Sequence, residues 1–70
     1  MRHERIELDP DVMNGKPVVR GTRVPVELVL RKLCVGMSPE AIIVDHPRPT
    51  ANDIHAAQAF AADYLDEDIL

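Results

Sequence analysis

Seventy residues and 7.8 kDa make one small domain at most, and with Phe60 and Tyr64 as its only aromatics and no Trp, the core it can build is thin. The net charge of −4 is uneven: residues 1–32 hold seven basic against five acidic side chains, whereas residues 33–70 hold Arg48 alone against seven acidic ones. No run approaches the roughly 20 apolar residues of a membrane span, no secretory segment follows Met-Arg-His-Glu-Arg, and the lone Cys34 excludes an internal disulfide and a closed zinc site while fitting a reducing, cytoplasmic compartment.

Ile6-Glu7-Leu8 alternates apolar, polar, apolar and predicts a half-buried strand. Asp9-Pro10-Asp11 predicts a turn, and Asn14-Gly15 a tight one. Lys16-Pro17-Val18-Val19-Arg20 follows as a second short β-run, with Pro17 at its start and Gly21 at its close. Two short strands are marginal in water. This arm, residues 1–23, is therefore expected to pack on helices or pair with another chain, and Ile6, Leu8 and Val18 are its candidate dimer-interface residues. The thin core points the same way, toward a homodimer.

Three helices are expected over residues 24–64. The first opens at Val24-Pro25, carries the apolar stripe Val26, Val29, Leu30, Leu33, has Arg31 and Lys32 in its last turn and stops at Gly36; Cys34, beside the stripe, is expected to be a small core residue. Ser38-Pro39-Glu40 starts the second, over about Pro39 to Asp45, which is expected to bury some of Ala41, Ile42 and Val44. Pro47-Arg48-Pro49 is a stiff connector. Thr50 with Asp53 resembles a capping box at the head of the third helix, about Ala51 to Tyr64, whose apolar stripe is Ile54, Ala57, Ala61, Tyr64 and Leu65. Residues 65–70 form an acidic tail.

The chemistry-bearing residues point to binding rather than catalysis. So short a chain can hardly enclose a ligand pocket, and neither a nucleophile nor a cofactor motif accompanies Asp45-His46, so no enzyme activity and no cofactor are expected. His3, His46 and His55 lack metal-ligand spacing. The helices make the outline of a helix-turn-helix, which would bring Asn52, His55 and Gln58 of the third helix near base edges. That helix contains no Lys or Arg, and Asp53 and Asp63 suit phosphates badly. Residues 16–32 are more favourable: Lys16, Arg20, Arg23, Arg31 and Lys32 stand against Glu27 alone. Lys16, Arg20, Thr22 and Arg23, with Arg48 and Asn52, are the DNA-contact candidates. The alternative is that Arg20 and Arg23 pair with acids of the same domain, such as Asp9, Asp45 or Asp53. Tyr64, Leu65, Asp66, Glu67, Asp68, Ile69 and Leu70 form an acidic amphipathic segment, a candidate protein-binding surface whose alternative is a frayed helix end.

Asp9-Pro10 and the block Asn14-Gly15-Lys16-Pro17-Val18-Val19-Arg20-Gly21-Thr22-Arg23-Val24-Pro25-Val26 resemble the signature of the bacterial domain-of-unknown-function family 433. Gly36-Met37-Ser38-Pro39-Glu40, His46-Pro47 and Thr50-Ala51-Asn52-Asp53-Ile54-His55-Ala56-Ala57 match its second half, so the resemblance runs from about Ile6 to Tyr64; Pro49 departs from it. The resemblance implies a mainly α, homeodomain-like three-helix domain preceded by short N-terminal β-strands. It further implies a VapB-type antitoxin that neutralises a PIN-like ribonuclease toxin, dimerises and binds its own operator DNA. It supplies no catalytic residues. A stand-alone dimeric transcriptional regulator and a structural dimer module without nucleic-acid binding are the alternatives.

Overall fold

Three strands, not two, form the arm, and the computed structural model describes them within residues 3–69, with the side chains of residues 3–66 other than Met13. Strand β1 (Ile6–Glu7) pairs antiparallel with β2 (Val18–Val19), Ile6 opposite Val19, and β2 pairs antiparallel with β3 (Val24–Pro25), Val19 opposite Val24. The third strand corrects the expectation that Val24-Pro25 opens the first helix. Gly21 and Arg23 both take left-handed φ, +80° and 59°, and this folds Val24 back beside Val19. Pro25 lacks an N–H and sits on an edge strand, where none is needed. Between β1 and β2 the chain makes a 3-10 turn over Met13–Gly15, with Asn14 and Gly15 left-handed, the conformation for which an Asn-Gly pair is suited.

Helix α1 spans Val26–Cys34 and ends in a Schellman motif: Met37 N–H donates to the Lys32 carbonyl and Gly36 N–H to the Leu33 carbonyl, both at 3.0 Å, with Gly36 at φ +94°. Helix α2 spans Pro39–Asp45 and is capped by the Ser38 hydroxyl, which accepts from Ala41 N–H at 3.1 Å. Helix α3 runs from Ala51 to Ile69, so the expected tail from residue 65 is helical through 69. Its head is the expected capping box: Thr50 N–H donates to the Asp53 carboxylate (2.9 Å) and Asp53 N–H to the Thr50 hydroxyl (3.2 Å).

The three helices pack as a bundle behind the sheet, and α3 touches α1, α2 and β1. The core is aliphatic: Ile6, Val24, Val26, Val29, Ile42, Ile54 and Ala57 form one buried cluster, with Phe60 packed at its margin. Val18 and Val19 are fully buried too, as is Pro49 of the connector. Of Ala41, Ile42 and Val44, some of which were expected to be buried, Ile42 takes the inward face of the short α2 and Val44 is 81% exposed. One expected core residue lies outside. Cys34 is exposed because it falls beyond the last inward position of α1, Leu33.

Two outcomes test this account. A Cβ at Gly36 would meet nothing within 4 Å, so Gly36→Ala carries only the left-handed backbone cost, roughly 1–2 kcal/mol, which thermal unfolding reads as a lower Tm. At Asp53, burial pushes the carboxyl up, but the bonds from Thr50 N–H, Arg5 and the Thr50 hydroxyl, with the Arg5 charge, leave it below the usual value. Its stabilisation is therefore complete above about pH 4 and fades as pH falls through the lowered folded value. Asp53→Asn should flatten that acid limb in Tm measured against pH.

Candidate functional site

The positive segment 16–32 is divided by the hairpin it folds into. Its turn, residues 20–23, lies at one end of β2 and β3, while Lys16 and Glu27 lie at the other. At the turn end, Arg48 Nη1 comes within 3.5 Å of the Gly21 carbonyl, so the connector arginine lies against the turn that carries Arg20 and Arg23. Arg5 reaches α3 there as well, with Nη1 3.0 Å from Asp53 Oδ1. The outcome is an arginine-rich end beside the first turn of α3, where exposed Asn52 sits and backbone N–H groups favour anions.

The six DNA-contact candidates are not equivalent. The Thr22 hydroxyl donates to the Val19 carbonyl (2.7 Å) and accepts from Val24 N–H (3.0 Å), so it holds the turn. Arg20 donates from Nε to the Glu4 carbonyl (2.6 Å) and from Nη2 to the Ile6 carbonyl (3.4 Å), with Glu7 3.9 Å away. It ties the arm to β2, and the acid of the same domain that it meets is Glu7; Asp53 pairs with Arg5, Asp45 with Lys32 at 3.5 Å, and Asp9 accepts from Asp11 N–H at 2.9 Å. Lys16 sits apart from the arginines. Its ammonium donates to Glu27 at 2.8 Å and holds that carboxyl below its usual range, with Arg31 4.0 Å from the same carboxylate. Arg23, Arg48 and Asn52 are exposed at the arginine end; among the described residues Arg23 and Asn52 make no side-chain hydrogen bond, and Arg48 makes only the long one to the Gly21 carbonyl.

The two acids that weighed against α3 as a DNA-facing helix are drawn inward or paired. Asp53 is bound by Thr50 and Arg5, and its side chain is only 13% exposed. Asp63 Oδ2 lies 2.9 Å from His3 Nε2, and the His3 ring meets Phe60 edge-on at 5.3 Å between centroids. This clasp between the arm and α3 has no sequence signature, since residues 3 and 63 are joined only by the fold. Asn52, His55 and Gln58 are all exposed on α3.

A second surface lies toward the other end of α3. An open groove of about 700 Å³ runs between the arm, α1 and α3, lined by Leu8, Pro17, Leu30, Phe60, Tyr64 and Leu65, with Lys16 and Glu27 on its rim. It unites Leu8, a dimer-interface candidate, with Tyr64 and Leu65, the protein-binding candidates. The other two dimer candidates, Ile6 and Val18, are buried inside the single chain, where their side chains serve its own core. Asp66 is exposed; the side chains of Glu67, Asp68 and Ile69, and Leu70 altogether, lie outside the described residues. Among the described residues no cluster of His, Cys, Asp and Glu could hold a metal ion, and no helix is long and apolar enough to cross a membrane.

Residues 6–61, from the first core residue of β1 into the second half of α3, match the DUF433 family, described as a protein of unknown function. A curated relative, the uncharacterized protein y4eO of Sinorhizobium fredii (strain NBRC 101917 / NGR234), is 40% identical over 58 residues, 83% of this chain but 26% of that protein, so the chain spans about a quarter of its length. The crystal structure of a DUF433 member from Anabaena variabilis ATCC 29413 superposes with a TM-score of 0.80 at 25% identity, over 90% of this chain and 62% of that one. The matched block contains the Gly21–Arg23 turn, the connector and the capping box of α3, and on that match the chain belongs to the DUF433 family.

Proposed function

We propose that this chain is a cytosolic, non-enzymatic, antitoxin-like module that binds operator DNA with the arginine end of α3 and neutralises a PIN-like ribonuclease through the acidic far end of the same helix. The observation that carries the reading is the chemical division of α3. Its first turn holds Asp53 paired with Arg5 and follows Arg48, which lies against the turn that carries Arg20 and Arg23, and its last turns hold Asp63, Asp66, Glu67 and Asp68 with no Lys or Arg among them. In this reading α2 and α3 form a homeodomain-like helix-turn-helix, and α3 offers Asn52, His55 and Gln58 to base edges while the arginines meet phosphates. The backbone of Arg23 adds support. A non-glycine residue at φ 59° carries a conformational cost, and its guanidinium makes no bond that stabilises the turn. That combination suits a side chain kept for a partner.

The acids of α3 suit basic residues around a nuclease site. A PIN-type site itself holds metal-binding acids, so the contact is placed at the basic rim rather than at the metal centre.

Two measurements test the reading. Anisotropy titrations of the chain on duplex from upstream of its own gene, at 50–200 mM salt, should give a log–log slope that loses about 0.9 for each of Arg23→Gly and Arg48→Ala. Arg23→Gly should do so with an unchanged or raised Tm, because glycine relieves the left-handed strain; an unchanged slope in both variants makes the arginine end structural. Second, the wild-type chain should suppress RNA cleavage by a PIN-like ribonuclease encoded beside it at near-equimolar ratio, and Asp66→Lys should need at least fivefold more protein. Uninhibited cleavage would leave a DNA-binding regulator without a toxin.

A further inference from the structure

We infer that Asn14 is a site of spontaneous deamidation, in which the backbone nitrogen of Gly15 closes on the Asn14 side chain, and that opening of the 3-10 turn around it sets the rate. The chain has two asparagines, Asn14 and Asn52, and only Asn14 is followed by glycine. A glycine neighbour has no Cβ to shield its nitrogen, and its permissive backbone lets that nitrogen approach the side-chain carbon. Asn14 is exposed, so the water that completes the reaction reaches it.

The step balances with water as the only co-reactant. The Gly15 nitrogen gives its proton to solvent base and attacks Cγ of Asn14; a C–N bond forms, the side-chain amide leaves as ammonia, and a five-membered succinimide remains. Water then opens the ring at either carbonyl. One opening gives aspartate. The other gives isoaspartate, in which the main chain runs through the former side chain and is one methylene longer. Nothing is oxidised or reduced.

The closed turn holds the reacting atoms back. Gly15 N–H donates to the Val12 carbonyl at 3.0 Å, and Asn14 stands at φ 58°, ψ 32°, from which ring closure needs a large rotation about ψ. One event removes both obstacles, the opening of the turn. Its bonds are local: Val12 N–H donates to the Asp9 carbonyl and Asp11 N–H to the Asp9 carboxylate, each at 2.9 Å. None of the described side chains of residues 9–16 is buried, and a segment so lightly held opens without global unfolding. Asn52 is the internal contrast. It stands in the first turn of a 19-residue helix, followed by Asp53, whose N–H is bonded to the Thr50 hydroxyl at 3.2 Å. The consequence falls on the groove between the arm, α1 and α3, since Gly15 and Lys16 line it: each conversion adds one negative charge beside them to the net −4.

The test follows the chain alone, folded and guanidinium-unfolded, at pH 8 and 37 °C, so its outcome is independent of DNA or nuclease binding. Ammonia release and a gain of one mass unit in the tryptic peptide 6–20 should appear in both, at least tenfold faster in the unfolded chain, with Asn52 lagging behind. Asn14→Gly suits the left-handed turn, so it should keep the helical circular dichroism while its peptide gains no mass. Asp9→Ala removes the bond to Asp11 N–H; it should raise the folded rate at least threefold and leave the unfolded rate unchanged. Equal rates in the folded and unfolded chain would overturn the inference. So would conversion confined to the unfolded chain, or a folded rate indifferent to Asp9→Ala.

Discussion

The fold depends on the burial of Ile54 and Ala57, one turn apart on α3 and both without exposed surface. Through this turn a single helix packs against α1, α2 and β1, and the methyl of Ala57 lets the neighbouring elements come close. No aromatic ring fills the centre, so position matters more than bulk: an aliphatic core this small has few contacts to spare. The ends of the turn are therefore fixed by polar means. Thr50 and Asp53 close the helix head, Arg5 brings the arm to the same carboxylate, and His3 clasps Asp63 ten residues later.

Local rules made much of this legible. The stop at Gly36, the Ser38 cap and the Thr50–Asp53 box each need only neighbours within a few residues, and each stands where the spacing places it. Val24-Pro25 was misread because a proline in a first turn and a proline on an edge strand look alike in sequence. What separates them is the left-handed Arg23, and arginine gives no hint of such a φ. Long-range pairings were illegible for a different reason. Arg5–Asp53, Lys16–Glu27 and His3–Asp63 join charges that composition can only sum, and the sum of +4 over residues 16–32 concealed that Lys16 lies at the opposite end of the hairpin from Arg23. The groove was half legible. Leu8, Tyr64 and Leu65 were each singled out, but only the packed arm shows that they share one surface.

Arg20 and Arg23 show how one short turn divides its labour. Arg20 spends its guanidinium on the carbonyls of Glu4 and Ile6, polar groups that the two-residue strand β1 leaves beyond its ladder. Thr22 closes the turn on itself. Among the described residues Arg23 makes no hydrogen bond that holds the arm or turn, and it stands on a backbone conformation that glycine would adopt more cheaply. The same two-fold use of a residue type recurs in the acids, where Asp53 builds and Asp66 is displayed.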